Sequence, residues 1–245
     1  MGIPQNLGHI WVGDLPAPQE WLDTWKNLHP NWNYTLYDNY FLKEFEFKTW
    51  KQIQEYWRRG KFAGVSDLMR LEILYNYGGF LPEADSICLT NTNKLFQKEC
   101  LYTVYENEFV RGNLVSPILA APPRHDFIGE LIDIVSRYQP TALDEPWIST
   151  GNLFIAQMIQ KLNPEIIIFP SHYFIPVHYT GVIYQGDDTI YARQLFGSTR
   201  KSYPASGFNR AQLFFLKTMR KFYNYYRMNE VNIKKFKLFD SIDKR

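Results

Sequence analysis

Asp67 and Arg70 stand three residues apart within Ala63–Tyr77, a stretch that is apolar almost all round. A helix of that pattern is buried, and residues at i and i+3 share one face, so two charges sit side by side away from water. Such charges need partners. They pair with each other or with a neighbouring loop, or they serve a ligand. Glu83 and Asp85 follow the Gly78-Gly79 turn and alternate by two. If the strand begun at Phe80–Leu81 continues, both carboxylates point to one side. Side by side they repel unless a cation or hydroxyl groups come between them. Paired oxygens of this kind suit a hard divalent ion that also grips a diphosphate, or the hydroxyls of a sugar. The plainer alternative is a solvated acidic turn.

The pattern along the chain supplies a scaffold for these four residues. Leu7–Val12 is a short apolar run closed by Gly13-Asp14 and reads as a first strand. Pro16–Asn27 places Trp21, Leu22 and Trp25 on one helical face, and Tyr34–Tyr37 returns as a second strand. Residues 48–59 and 62–77 are helical in pattern, with Gly78-Gly79 as the stop after the second. Further strands are expected near 101–106, 114–120 and 165–169, and helices near 126–138 and 150–162. Alternating strands and helices predict an α/β domain with a largely parallel sheet, in which ligands meet the carboxyl ends of the strands. The loops after Val12 and after Leu81 are where chemistry is expected.

Hydrophobic residues make up 45 % of the 245 and charged residues 21 %, which excludes a disordered chain. Aromatic residues reach 17 %, which suits ring faces that meet flat or sugar-like ligands as well as it suits core packing. The net charge of +2 is unevenly spread: from Phe208 onward ten Lys and Arg face three Asp and Glu, so the tail carries +7 and residues 1–207 carry −5. A body of that sign is no ordinary nucleic-acid binder. Residues 1–207 are expected to form the catalytic domain, and residues 208–245 a basic, aromatic helical tail. In the tail, Leu213, Phe214, Leu216, Phe222, Tyr223 and Tyr226 alternate with Arg210, Lys217, Arg220, Lys221 and Arg227. Its aromatics are expected to pack, and its lysines to give weak, salt-sensitive contact with a membrane surface. Cys88 and Cys100 are too few for a disulfide framework, and no run approaches the roughly 18–20 apolar residues of a membrane span. A cytoplasmic protein, in part at the membrane surface, is the expectation.

Several stretches together resemble glycosyltransferase family 32. Ile3-Pro4, Ile10-Trp11-Val12-Gly13, Pro30, Trp32 and Tyr34-Thr35-Leu36-Tyr37-Asp38 follow the order of its N-terminal motifs. Ala63-Gly64-Val65-Ser66-Asp67-Leu68-Met69-Arg70, continued by Leu74-Tyr75-Asn76-Tyr77-Gly78-Gly79, is similar to the A-x-x-S-D-x-x-R-x-x-x-L-Y-x-x-G-G signature of the sugar-binding region containing the DXD motif. The glucosylating domains of large bacterial toxins share that signature. Asn113, Ser149-Thr150-Gly151 and Phe196-Gly197-Ser198 match later motifs in part. The resemblance implies a GT-A fold, with a Rossmann-like nucleotide-binding sheet flanked by helices. It further implies a nucleotide-sugar donor such as a UDP- or GDP-sugar, transfer with retention to a carbohydrate or glycolipid acceptor hydroxyl, and usually a Mn2+ or Mg2+ ion.

Roles follow by position. Trp11 matches the tryptophan that stacks on the donor base, and Asp67 and Arg70 the pair that holds sugar hydroxyls and the diphosphate region. Glu83 stands at the first acid of DXD, which contacts ribose or sugar hydroxyls, and Asp85 at the second, which binds metal. Val12, Ser66 and Gly151 complete the expected donor-binding set. The chain also departs from the pattern. The motif reads Glu83-Ala84-Asp85 after Pro82, Leu81 replaces an aromatic residue, and Gly8 precedes His9 where the family has its histidine first. Gln194, a poor metal ligand, begins the stretch that ends in Ser198-Thr199 in place of a histidine-led Ser-Trp motif. Gln194 and Ser198 remain candidate ligands beside Asp85, with Asp187, Asp188 or His178 as substitutes, and metal dependence is in doubt. Ser149-Thr150-Gly151-Asn152 reads as a helix N-cap. Asp144 and Glu145 are placed to face an acceptor hydroxyl or, more simply, solvent. His125, His172 and His178 read as structural. The competing function is a degenerate sugar-nucleotide-binding module that has lost turnover.

Overall fold

The computed structural model describes residues 2–197. The tail from 208 onward, the membrane contact expected of it, and Ser198 and Thr199 lie outside the described residues. The strands are β1 (Asn6–Ile10), β2 (Asn33–Tyr37), β3 (Gly79–Phe80), β4 (Ser86–Cys88), β5 (Leu101–Val104), β6 (Ala120–Ala121), β7 (Ile166–Phe169) and β8 (Ala192–Gln194). The helices are α1 (Gln19–Leu28), α2 (Asn39–Glu44), α3 (Trp50–Arg58), α4 (Phe62–Tyr77), α5 (Glu108–Arg111), α6 (Asp126–Ser136), α7 (Pro146–Ser149) and α8 (Asn152–Leu162). Six strands form one mixed sheet in the order β2-β1-β3-β6-β5-β7. β1 runs parallel to β2 and β3, β5 parallel to β7, and only β6 is reversed. β4 and β8 make a separate antiparallel pair that the sequence pattern did not announce.

Side chains alternate across the sheet and separate two apolar clusters. Ile10, Leu81 and Leu101 join one with Val65, Leu68 and Leu74 of α4. Leu7, Phe80 and Tyr102 join the other with Trp25 and Phe169. The α4 helix spans the residues its pattern predicted, since an all-round apolar surface is satisfied only between neighbours. Glu72, the buried acid of α4, accepts from the Lys48 and Thr49 amides and the Thr49 hydroxyl, and so anchors the start of α3. Gly78 and Gly79 end α4 at φ +62° and +105°, and a Cβ on Gly79 would lie 2.4 Å from the Asn6 carbonyl oxygen. Gly8 is equally confined, 2.5 Å from the Tyr37 ring, so a side chain is excluded there and the histidine stands at the next position, buried on the opposite face.

Some expected boundaries shift. The 114–120 strand shrinks to Ala120–Ala121 plus one bridge between Tyr105 and Val115, because Pro117 has no N–H to give to a ladder. The helix expected from 48 starts at Trp50, and α2 was missed although Asp38 caps it through the Tyr40 and Phe41 amides. No helix among the described residues is long and apolar enough to cross a membrane.

Candidate active site

Asp67 and Arg70 leave the same face of α4 but do not pair with each other. Arg70, 3 % exposed, donates through Nη2 to Glu83 Oε1 at 2.7 Å and through Nη1 to the Leu81 carbonyl. A guanidinium can hold two acceptors in a fixed fork, and here both belong to the loop after β3. Asp67 turns to another loop, where Oδ2 accepts from the Thr150 hydroxyl at 3.1 Å.

The expected side-by-side acids are not found. β3 ends at Phe80, and the chain turns at Ala84-Asp85, with the Ser86 amide and hydroxyl both closing on the Glu83 carbonyl at 3.1 and 2.6 Å. Pro82 removes the N–H that a continuing strand would need. The turn sends Glu83 back to Arg70 and sends Asp85 to the far end of β8. There Asp85 Oδ1 accepts from Gln194 Nε2 and Oδ2 from the Gly197 amide, each at 2.7 Å, while the Asp85 carbonyl takes the Leu195 amide. Burial, then repulsion from Glu83, pushes both Asp67 and Asp85 up to about 7, against the pull of Arg70 and, respectively, of the Thr150 hydroxyl and the Gly197 amide.

This donor set is a test of the implied metal. A carboxylate only accepts, so the Gln194 amide presents its NH2 to Asp85, and both carboxylate oxygens hold N–H donors where an ion would bind. Glu83 is held by a cation already. Among the described residues no group of three or more His, Cys, Asp and Glu could hold a metal ion. Asp188 is engaged by the Tyr184 hydroxyl and His178 by Glu106. The described residues do not fit a tightly bound divalent ion.

The other expected site residues divide. Trp11 is half-buried in the loop after β1, its backbone tied to Tyr37 and its indole donating to the Leu15 carbonyl at 2.7 Å, so the ring is fixed outside the core clusters. Val12 packs into the core. Ser66 is half-buried beside Asp67. Gly151 lies against the site: a Cβ there would sit 2.9 Å from Asp67 Oδ2. The expected side-chain cap of α8 is absent, because Gly151 itself is the N-cap residue and the Thr150 hydroxyl is turned to Asp67. Ser149 accepts from the Asp144 amide within the loop, and Glu145 pairs at 2.9 Å with Lys61 at the start of α4. His125 caps α6, and His172 stacks on Tyr184 at 4.1 Å.

Sequence reasoning missed Glu106, which is 8 % exposed and accepts from Asn152 Nδ2 at 2.8 Å. His178 Nε2 lies 3.3 Å from its Oε1, and Arg111 forms an ion pair with the same oxygen at 3.3 Å. Burial alone would raise this carboxyl, but the His178 hydrogen bond and the Arg111 charge outweigh it and hold the carboxyl below its ordinary value. No local spacing links 106 to 152 and 178, so no motif could have disclosed it. A narrow crevice, with room for about 10 Å3, runs beside the same loops and is lined in part by Glu83, Ser86, Ser116 and Gln194.

The mixed sheet flanked by helices, with acids on α4 and on the loop after β3, was compared with known proteins. Residues 18–102 match the family described as the glycosyltransferase sugar-binding region containing DXD motif, a span that includes Asp67, Arg70, Glu83 and Asp85. The solved structure of PaToxG glycosyltransferase matches with a TM-score of 0.53 at 17 % identity, over 66 % of this chain and 70 % of that one. No curated protein sequence matches this chain. The chain has the GT-A glycosyltransferase fold, and its residues 18–102 are similar to a glycosyltransferase sugar-binding region.

Proposed function

We propose that this protein is a retaining glycosyltransferase that moves a hexose or pentose from a UDP- or GDP-sugar to a hydroxyl of a carbohydrate or glycolipid acceptor. The observation that carries the reading is the convergence of Asp67, Arg70, Glu83 and Asp85 from α4 and the loop after β3, inside the matched sugar-binding region. In this reading the donor base stacks on Trp11, and Asp67 and Glu83 accept from hydroxyls of the sugar and ribose. Arg70 is too buried to clamp a phosphate, with both terminal nitrogens held by the loop after β3 and Nε buried without a partner. Its task is to hold Glu83 and the Leu81 carbonyl in place and to offset part of the acidic charge. Asp85 orders the chain at 194–197 through its two N–H contacts, and Mn2+ or Mg2+ is held loosely if it takes part. Residues 1–207 form the catalytic domain.

Donor hydrolysis without acceptor tests this. UDP-glucose, UDP-N-acetylglucosamine, UDP-galactose, GDP-mannose and GDP-fucose are incubated with the protein, and released nucleoside diphosphate is measured. One donor is expected to turn over, and Asp67→Asn should abolish that turnover without unfolding the chain. Binding of a donor with no release, even when a panel of acceptor sugars is added, would instead support the inactive sugar-nucleotide-binding module.

A further inference from the structure

Asn152, His178 and Arg111, all buried or half-buried, meet at Glu106, and the first two lie beside the residues that grip the two outer acids of the site. Asn152, which donates to Glu106 Oε2 at 2.8 Å, follows Thr150-Gly151, the turn that closes on Asp67. His178 is fully buried. Its Nδ1 lies 2.7 Å from the Thr180 hydroxyl and accepts from the Thr180 amide at 3.4 Å, which leaves Nε2–H to donate to Glu106 Oε1. The rings of His178 and Tyr179 pack on Phe196, with centroids 6.1 and 5.6 Å away. Phe196 immediately precedes Gly197, whose amide holds Asp85. Arg111 balances the Glu106 charge and stands over the Trp147 ring at 5.9 Å, one turn before Gly151.

We propose that Glu106 is a positioning residue that fixes the spacing between Asp67 and Asp85, by clamping Asn152 beside the Thr150-Gly151 turn and His178 beside the Phe196-Gly197 segment. Glu106 touches neither acid and lies too deep to meet a substrate. Its carboxylate is nonetheless bonded to Asn152, next to the turn that holds Asp67, and to His178, whose ring packs on the residue before Gly197. An anionic acceptor suits this place because Asn152 and His178 present N–H groups to it and the Arg111 guanidinium stands 3.3 Å away without a hydrogen bond from its Nε; an amide here would remove the counter-charge of Arg111 and force Asn152 to turn its own amide round. The effect on donor sugars rests on the proposed function, whereas the clamp itself does not.

The test therefore has a structural arm and a functional arm, both on the full chain. Amide hydrogen exchange is followed in Glu106→Gln at residues 150–152 and at Gly197, with β1 and β2 as reference. Exchange is expected to rise roughly tenfold at both segments and to stay unchanged in the reference strands. In the paired variant Glu106→Gln/Asn152→Asp the amide at 106 donates to the new carboxylate at 152 and still accepts from His178, so protection at 150–152 should return. Affinities for UDP-glucose against UDP, and GDP-mannose against GDP, form the second arm. The sugar-bearing member should lose roughly tenfold and recover in the paired variant, while the bare diphosphate is unaffected. No change at either segment, an even rise over the whole sheet, or failure of the paired variant to restore protection overturns the proposal. If Glu106→Gln does not fold, Asn152→Ala leaves the charge paired with His178 and Arg111 and must loosen 150–152 alone. Exchange unchanged there overturns the clamp as well. Should the wild type bind none of the nucleotide sugars, the function proposed above fails and the exchange arm still decides the clamp.

Discussion

Gly151→Ala isolates the contact between the donor-site acid and its supporting turn. The added methyl would stand 2.9 Å from Asp67 Oδ2, 3.2 Å from Trp147 Cα and 3.3 Å from the Pro146 carbonyl oxygen. The last two neighbours are backbone atoms of the α7 turn and have little room to yield. The carboxylate is the part that moves, and ordinary contact near 3.4 Å asks for about 0.5 Å of it. That shift would stretch the 3.1 Å bond from Thr150 to about 3.6 Å, beyond a hydrogen bond. A bond to a charged group contributes about 1.5–3 kcal/mol when buried, and Asp67 is half-buried, so a loss of about 1 kcal/mol in stability is expected. The larger effect falls on the sugar, because Asp67 swings away from the position from which it accepts hydroxyls. A misplacement of about 1 Å can cost a site about 100-fold, and half of that is expected to cost about 10-fold. Thermal unfolding gives the first number, and donor-hydrolysis kinetics give the second. A folded variant whose donor KM and kcat stay within about twofold of the wild type would show that Asp67 does not meet the donor, and the site would have to be redrawn.

Trp11→Ala should weaken nucleotide binding by about 1–3 kcal/mol if the ring stacks on the base, measured by titration with UDP and GDP, and unchanged affinity would remove Trp11 from the site. Stability should depend on pH in a particular direction. Asp67 and Asp85 are raised from 3.8 to about 7, so between those values the folded chain holds protons that the unfolded chain has released, and stability falls as pH rises through this window. Glu55, held down to about 2 by Arg58 and then Arg59, works oppositely, its contribution being lost only as pH falls below about 4.5. Unfolding midpoints at pH 5 and pH 8 check this: the former should be higher, Asp67→Asn should shrink the gap, and a flat profile contradicts the burial of these acids. Dialysis against EDTA should leave both the fold and nucleotide binding in place, with turnover surviving in part or returning with millimolar Mn2+ or Mg2+. An ion that copurifies and resists the chelator would refute the reading of Asp85.

The helices that bury one face, and the strands that alternate or run apolar, were legible because their periods are written in adjacent residues. The α4 helix is the clearest case, its limits set by the apolar run and by Gly78-Gly79. Legibility failed where a partner far along the chain decides the outcome. Nothing near Ser86–Cys88 shows that it pairs with Ala192–Gln194, and that pairing brings Gln194 and Gly197 to Asp85. The Glu-x-Asp spacing suggested a strand with both acids on one side. The Ser86 turn overrides the period of two, since its amide and hydroxyl together close on Glu83. Thr150 was read as part of a helix cap, and its hydroxyl had a carboxylate closer to hand.

The departures from the family pattern make sense together once these partners are known. Gly8 has no side chain because Tyr37 and Leu81 fill the space, and Leu81 in turn gives its carbonyl to Arg70. Glu83 is one methylene longer than the usual aspartate, and that methylene lets it reach the Arg70 fork from a loop whose strand has already ended. Gln194 has a neutral amide where the pattern has a histidine, and its NH2 meets the very oxygen that a metal would share. An acid answered by a guanidinium and an acid answered by N–H donors are two local solutions to one problem, the repulsion among Asp67, Glu83 and Asp85. The sequence alone posed that problem when it placed these carboxylates around an apolar helix. Where the neutralising groups come from is decided by loops that meet only in three dimensions.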